Sequence, residues 1–253
     1  SNKGGWSYEP NYIGAELAKR GLIVISINYR LGIFGFFAHP DIPDPNFALL
    51  DQIAALQWIH RHIGQLGGDR SNITLMGESA GASNIDFLLA APAARGLFHR
   101  AIHQSAGWAI TGRVNLEDAQ TAARKLAASV GQGSEATLAR LKTENAQIVM
   151  TQAAELYESI YFDPIAGTPS LPVSVSDQFT NGTVHKVELL IGSNADEWLI
   201  YLDESQSFED DLNELAPRAA RSDPTGARRT SGAESSGYPD QRRKLRVPVI
   251  QNC

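Results

Sequence analysis

The amino-acid sequence predicts an α/β protein built on a mostly parallel sheet. Two observations support this prediction. Short apolar runs rich in β-branched residues alternate along the chain with longer segments whose apolar residues recur every three or four positions. The apolar runs also lack the polar alternation of a half-exposed strand, which is typical of strands buried on both faces of a parallel sheet. Strands that alternate with helices are joined by crossover connections, and these favour parallel pairing.

The first predicted strand is GLIVISINY, residues 21–29. The segment before it, NYIGAELAKRG, has helical spacing and ends at Gly21, a residue type that commonly terminates helices. A loop rich in proline and aspartate, residues 40–46, leads into a second helical segment, FALLDQIAALQWIHRHIGQLGG, which stops at paired glycines. The next strand, helix and strand are ITLMGES, AGASNIDFLLAA and RAIHQSAG. This order predicts repeated crossover units.

The second half of the chain has a different organisation. Residues of about 115–160 keep helical spacing with no strand between them, which predicts a helical insertion of the kind that often covers the active edge of a sheet. The segment VELLIGS that follows predicts a fourth buried strand. We therefore expect one partial α/β domain over residues 1–216.

Residues 217–253 differ in composition from the rest of the chain. They are rich in arginine, glycine and serine and carry almost no apolar periodicity until their end. Such a segment buries too little apolar surface to offset the entropy of ordering it, so we expect disorder. An out-of-frame translation and a functional tail are the two explanations, and the abrupt change favours the first.

Composition excludes several classes of partner. The net charge of −6 argues against nucleic-acid binding, which requires a basic face. No apolar run reaches the roughly 18 residues of a membrane span. The single cysteine, Cys253, rules out an internal disulfide, and no spacing of histidine, cysteine and acidic residues indicates a metal or another cofactor. The oligomeric state is not predicted.

The segment Gly77-Glu78-Ser79-Ala80-Gly81 matches the G-x-S-x-G nucleophile elbow. A predicted strand precedes it and a predicted helix follows, which is the context that gives the motif its meaning. The turn is too tight for side chains on its flanks, so glycines occupy them, and the serine adopts a strained backbone that exposes its hydroxyl. The amide of Ala80 then points to where an oxyanion would form. A chance glycine–serine turn is the structural alternative.

The chain resembles the type-B carboxylesterase and cholinesterase family of α/β-hydrolases in this elbow and in further sequence blocks. The resemblance covers about residues 5–205 and rests on five blocks in the family's order and spacing: INYRLGIFGFF, PNFALLDQIAALQWI, GGDRSNITLMGESAGA, RGLFHRAIHQSAG and LLIGSNADE. It implies an α/β-hydrolase core, truncated at both ends, and a serine that is acylated by a carboxylic ester and deacylated by water. It also implies a triad completed by an acid and a histidine.

Carried over by this resemblance, Ser79 is the nucleophile and Glu197 is the triad acid, with Asp196 as the competing candidate. Glu197 follows the VELLIGS strand at the sheet edge that also carries Ser79, in the chain order serine, acid, histidine. Glu78 resembles the acidic residue that precedes the family's serine, where it stabilises cationic character; a paired buried acid is the structural alternative. Ser1 falls on the last glycine of the family's HGGG-type oxyanion loop.

The triad histidine is not found. All six histidines precede Glu197, and we expect structural roles for them: His39, His60, His62, His99, His103 and His185. His39 alone is predicted to lie on a loop with freedom to reach the serine. Without a base, Ser79 keeps its proton at neutral pH and is a poor nucleophile.

The sequence therefore predicts a serine carboxylic-ester hydrolase that acts on a small ester through an acyl-enzyme, and that is inactive or very weak in this truncated form. Two alternatives remain open: a non-catalytic cholinesterase-like adhesion or scaffold domain, and a non-functional product of a damaged gene. The sequence does not specify the ester. Several aromatic residues are candidates for an acyl pocket, although plain packing is the commoner role: Trp6, Phe34, Phe36, Phe37 and Trp198.

Overall fold

A computed structural model describes residues 2–130, 138–157, 161–195, 197 and 249–252. The chain divides into two compact units. One comprises Ser1–Ser193 with Arg246–Cys253, and the other comprises Asn194–Leu245. All the helices and strands of the described residues lie in the first unit.

Five parallel strands form one sheet in the order β1-β5-β2-β3-β4. They are β1 (Val24–Ser26), β2 (Thr74–Glu78), β3 (Arg100–Gln104), β4 (Glu188–Gly192) and β5 (Val249–Asn252). Because all the pairings are parallel, the carboxyl ends of the strands meet at one edge of the sheet. The predicted parallel α/β fold is thereby confirmed.

One helix precedes β1, and the other helices of the described residues lie between successive strands from β1 to β4. They are α1 (Ala15–Ala18), α2 (Gly32–Gly35), α3 (Phe47–His62), α4 (Ala80–Ala90), α5 (Trp108–Thr111), α6 (Leu116–Val130), α7 (Leu138–Thr143), α8 (Ala146–Leu156) and α9 (Val175–Thr180). Helices α6, α7 and α8 occupy the stretch of the predicted helical insertion. Among the described residues, no helix combines the length and the apolar composition that a bilayer crossing requires.

Two large apolar clusters and one small one are buried in the described part of this unit. The main core joins the sheet to α3 and α4, and its fully buried side chains include Leu49, Leu75, Leu88 and Phe98. Helix α4 is buried from Gly81 to Ala90, as its almost unbroken run of apolar and small residues requires. The second core joins α6, α7 and α8 to the α2 region. The helical insertion therefore packs on the segment that follows β1.

Two differences from the sequence predictions concern the strands. The first strand has three residues rather than the nine of the apolar run 21–29. The segment VELLIGS forms the predicted strand, but the prediction that this strand is buried is wrong, because all five residues of β4 are exposed. Strand β4 lies at the end of the sheet order, so β3 covers only one of its sides. Strand β5 lies within residues 217–253, at the apolar end of that segment, whereas residues 217–248 lie outside the described residues.

Candidate active site

Ser79 lies at the sharp turn between β2 and α4. Its φ of 54° and ψ of −118° lie in a region that glycine adopts easily and that side chains rarely adopt. Two backbone hydrogen bonds hold it there: its amide donates to Gln104 O at 2.9 Å, and its carbonyl accepts from Ser83 N at 3.0 Å. A serine held in this conformation stores about 1–3 kcal/mol of strain, as serines at nucleophile elbows do.

Gly77 makes this turn possible because α4 begins directly against β2. A Cβ atom at Gly77 would lie 2.4 Å from the carbonyl carbon of Gly81 and 2.7 Å from the amide nitrogen of Ala82. These are backbone atoms of the first turn of α4, which have no flexible side chain to move aside. The first glycine of the motif is therefore required by the close packing of helix and strand.

The amino end of α4 creates an electropositive site beside Ser79. The first amides of a helix have no intrahelical partner, and the helix dipole adds a partial positive charge there. Ala80 supplies the first of these amides, and both Ser79 and Ala80 are partly exposed. This arrangement suits the stabilisation of a negative charge that develops next to the serine hydroxyl.

Glu78 is the last residue of β2 and is exposed. The alternative that it is a paired buried acid is therefore wrong. It precedes Ser79 directly, at the carboxyl end of β2.

A buried polar network anchors α4 beneath the elbow. The Asn84 side-chain amide donates to Ala80 O at 2.9 Å, to Tyr29 Oη at 3.2 Å and to Asn2 Oδ1 at 2.9 Å. Asn2 in turn donates through Nδ2 to Asp163 Oδ1 at 3.0 Å. Neither Asn84 nor Asn2 is among the site residues predicted from the sequence. The available signal is the polar group Ser83, Asn84 and Asp86 within the mostly apolar sequence of α4.

Arg113 extends this network towards the helical insertion. Its Nε and Nη2 atoms donate to Asp163 Oδ2 at 2.9 Å and 2.6 Å. The guanidinium lies 4.3 Å from the ring centroid of Tyr161 and 5.2 Å from that of Trp108. Because hydrogen bonds and aromatic faces fix this ion pair, the segment after α8 is tied to the residues that surround the elbow.

Glu197 lies five residues after the end of β4 and is partly buried. Its Oε1 atom accepts a hydrogen bond from Asn194 N at 2.6 Å, which fixes the carboxylate against its own loop. Both residues belong to the second compact unit. Ser1 and the competing candidate Asp196 lie outside the described residues.

The histidines have other partners. His103 lies on β3 and is buried, with Nε2 3.1 Å from Asp86 Oδ2 on α4. The expectation that His39 is free to reach the serine is wrong, because His39 is 9% exposed and its Nδ1 accepts from Asp41 N at 3.2 Å.

The remaining histidines lie away from the carboxyl ends of the strands. His60 and His62 close the last turn of α3, and His99 Nδ1 accepts from Ile73 N at 3.3 Å. His185 lies before β4, at the amino end of the sheet. Burial lowers its pKa, and Arg95 and His99 lower it further. In the described part of the chain, no histidine hydrogen-bonds Ser79.

Metal-ligating groups do not cluster in the described ranges: no three histidine, cysteine or acidic side chains come together there in a way that could hold a metal ion. The described elbow thus offers a serine with a strained backbone, a helix amino end and the exposed acidic residue Glu78. These groups fit nucleophilic attack on a polarised carbonyl.

The sequence profile of the Carboxylesterase family matches residues 3–234 of this chain. The chain is 34% identical to fumonisin B1 esterase of Sphingopyxis macrogoltabida, over 79% of this chain and 38% of that protein. It is 35% identical to para-nitrobenzyl esterase of Bacillus subtilis, over 78% of this chain and 42% of that protein. It therefore spans less than half the length of these relatives.

Solved structures give the same result. A para-nitrobenzyl esterase structure superposes with a TM-score of 0.72 at 33% identity, over 86% of this chain and 50% of that one. A Geobacillus stearothermophilus carboxylesterase superposes with a TM-score of 0.71 at 30% identity, over 84% of this chain and 49% of that one. Neuroligin-2 of Mus musculus is also similar, at 32% identity over 80% of this chain and 25% of that protein.

Proposed function

The chain belongs to the carboxylesterase family, and from that premise we propose that it is a serine carboxylic-ester hydrolase with Ser79 as the nucleophile. One observation supports this most strongly. Ser79 has a positive φ at the turn where β2 meets the amino end of α4, with Gly77 in van der Waals proximity to the helix backbone. That combination of strain, exposed edge and helix terminus is the geometry of a nucleophile elbow.

The first chemical step is acyl transfer to the serine. Ser79 Oγ attacks the ester carbonyl carbon, and the carbonyl oxygen becomes an oxyanion that the Ala80 amide stabilises. Collapse of this intermediate breaks the bond to the alcohol, which leaves with the proton that the serine loses. The product of this step is an ester between Ser79 and the acyl group.

The second step, attack of water on the acyl-serine, is expected to be slow in this chain. Activating both the serine and the water normally requires a histidine base, and removing that histidine lowers turnover about 10⁶-fold in a serine protease triad. Because no described histidine hydrogen-bonds Ser79, we propose that both steps are slow. With an activated ester the phenolate leaves without a proton, whereas the serine alkoxide leaves poorly in deacylation, so we propose that the acyl-serine accumulates with such esters.

The other candidate residues receive supporting roles in this proposal. Glu197 is the triad acid, favoured over Asp196 by the family resemblance and by its place after β4. Glu78 contributes negative charge beside the elbow. Ser1, which falls on the last glycine of the family's oxyanion loop, is the candidate for a second oxyanion donor, and the loss of one such donor costs about 3–4 kcal/mol in related chemistry. The substrate is a small carboxylic ester.

Covalent labelling tests the nucleophile directly. The purified chain is treated with a fluorophosphonate probe, and p-nitrophenyl butyrate hydrolysis is followed in parallel, with Ser79→Ala as the matched variant. We expect labelling of the Ser79 peptide, loss of labelling in Ser79→Ala, and release of about one equivalent of p-nitrophenol before a slow phase.

A second serine, Ser105, is an internal control that shows whether a strained backbone by itself is enough for labelling. Ser105 follows the neighbouring strand β3 with a φ of 53°, and its amide donates to Gly192 O at 2.8 Å. It is followed by Ala106-Gly107 rather than directly by a helix, so we expect no label on the Ser105 peptide. Equal labelling of both peptides, or labelling that survives Ser79→Ala, would contradict the proposal.

A non-catalytic scaffold or adhesion domain is the second candidate. The similarity to neuroligin-2, a relative that is not named as an esterase, supports it. Under this alternative the Ser79→Ala variant and the parent chain would behave identically with both the probe and the ester, while their unfolding curves would differ only slightly.

A further inference from the structure

An open groove with a volume of about 420 Å³ lies at the amino end of the sheet. Its walls are Arg95, which precedes β3, and residues 182–186, which connect α9 to β4. The elbow follows β2 at the opposite, carboxyl end of the sheet, and a strand of five residues spans about 16 Å. The groove is therefore separate from the site proposed for ester hydrolysis, and a ligand could bind there whether or not Ser79 is a nucleophile.

The groove is lined by basic side chains. Arg95 and Lys186 are both exposed. Within the described part of the chain, neither of them forms an ion pair with an acidic side chain. Arg100 differs from them, because its Nε atom lies 2.6 Å from the carboxylate of Glu188. Two uncompensated positive charges in one groove stand out in a chain whose net charge is −6.

Arg95 is held in place by contacts to the facing segment. Its Nη2 atom donates to Thr183 O at 3.1 Å, and the next residue, Gly96, donates through its amide to His185 Nε2 at 3.4 Å. His185 N donates to Leu89 O at 2.8 Å. A guanidinium has five N–H donors, and the bond to Thr183 uses one of them. Arg95 is therefore positioned before a ligand arrives and has donors to spare.

The carboxyl end of α9 adds little negative charge to the groove. Unpaired carbonyls at a helix end carry a partial negative charge. Here three carbonyls of the last turn accept hydrogen bonds, at 2.9 to 3.2 Å, from the amides of Asn181, Gly182 and Thr183. Among the described residues, the amides of Val184 and Lys186 donate to no acceptor and remain available as donors.

His185 lines the groove but is not a ligand contact. Its Nε2 atom already accepts from Gly96, and its ring packs edge-on against Phe98 with centroids 5.0 Å apart. Burial lowers the pKa of His185, and the positive charges of Arg95 and His99 lower it further. The imidazole therefore senses the positive potential that an anion in the groove would meet.

We propose that this groove binds a dianionic phosphoryl group, as inorganic phosphate or as the phosphate of a small monoester. Arg95 offers a planar fork of N–H donors that suits phosphate oxygens, and Lys186 supplies the second positive charge. The two cations thus match the two charges of the ligand. The volume lies within the range of small-molecule sites, so the groove also has room for the organic part of a monoester.

The test is titration of the full chain with inorganic phosphate and with phenyl phosphate, at constant ionic strength, followed by NMR of the backbone amides. We expect saturable shifts at Gly96 and residues 182–186, and equal affinity in Ser79→Ala. Arg95→Gln is expected to weaken binding about tenfold and Lys186→Gln about threefold, because each removes a charged donor. Arg95→Lys keeps the charge without the fork and should lie between Arg95→Gln and the parent chain.

The two ligands distinguish the sources of the phosphoryl group. Tighter binding of phenyl phosphate would identify a monoester as the ligand, and equal or weaker binding would identify the free anion. Either result supports the site.

Matched variants separate the groove from general charge effects. Arg124→Gln and Lys142→Gln remove the same charges at exposed positions on α6 and α7 that do not line the groove, and they are expected to leave affinity unchanged. Because Arg95 and Lys186 are exposed, their variants should keep the parent's melting temperature. The proposal is overturned if the shifts do not saturate, if sodium chloride produces the same shifts, or if the control variants weaken binding as much as the groove variants do.

Discussion

Strands β2 and β4 flank the same strand, β3, yet their surroundings are opposite. Leu75 of β2 and Leu189 of β4 both pair with Ala101, but Leu75 is completely buried and Leu189 is 49% exposed. Strand β2 ends in a turn that is fixed by α4 and by the Asn84 network, whereas β4 has exposed residues throughout. The difference indicates that the chain builds the nucleophile end of the proposed site as a rigid, densely packed unit, and presents the strand that leads to Glu197 on an open edge.

Replacing the glycines near the ends of β2 and β4 by alanine should give the largest difference in the free energy of unfolding. Gly77→Ala forces a Cβ atom against the backbone of Gly81, so we expect a loss of about 3 kcal/mol or more in the free energy of unfolding. Gly192→Ala meets nothing within 4 Å and should change it by less than about 1 kcal/mol. Urea unfolding curves measure both. Equal unfolding midpoints for the two variants would show that the backbone of α4 is not closely packed against Gly77.

The paired leucines give a second, smaller contrast. Leu75→Ala opens a cavity in the main core, with an expected cost of about 2–5 kcal/mol. Leu189→Ala removes a side chain that is already half in water, so its cost should stay below about 1 kcal/mol. Because both residues pair with Ala101, the register is matched. A Leu189→Ala variant as unstable as Leu75→Ala would mean that β4 is covered in solution.

Removing one partner of the ion pairs near the two edges of the sheet should have the smallest effect on stability. Burial raises the pKa of Asp51, but the hydrogen bonds from Arg30 outweigh it and hold the pKa below its usual value. The carboxylate accepts from Arg30 N, Nε and Nη2 at 3.0, 2.7 and 2.7 Å. Near β4, the exposed carboxylate of Glu188 accepts from Arg100 Nε at 2.6 Å.

A depressed carboxyl pKa stabilises the fold above the unfolded value of about 4, and this contribution is lost as the pH falls through the lower folded value. Asp51→Asn should therefore reduce stability at pH 6 by about 0.5 kcal/mol, a small value because Arg30 is half exposed and solvent screens the pair. The variant should also lose less stability than the parent chain as the pH falls below about 4. Glu188→Gln breaks the exposed ion pair with Arg100, is the matched control, and should reduce stability at pH 6 less than Asp51→Asn does. Thermal melts from about pH 2 to pH 7 measure both, and identical profiles would contradict the assignment.

The sequence predicts the elbow well because its constraints are local. A tight turn between strand and helix needs glycine at Gly77, and the motif that contains this glycine is visible in the sequence. The Asn84–Asn2 contact joins residues 82 positions apart, and no local pattern marks such a pair. The exposure of β4 escapes prediction for a related reason. Its apolar run favours a strand, but burial depends on which elements cover it, and that is a property of the whole sheet.

The positive φ of Ser79 has a consequence for how this position changes over evolutionary time. Glycine adopts that backbone without strain, while its extra freedom in the unfolded chain offsets about 0.5–1 kcal/mol of the gain. Ser79→Gly should therefore leave the fold about as stable, or more stable, while it removes the hydroxyl. Selection for stability alone would let serine drift away from this turn, so a lineage keeps it only while the hydroxyl is used.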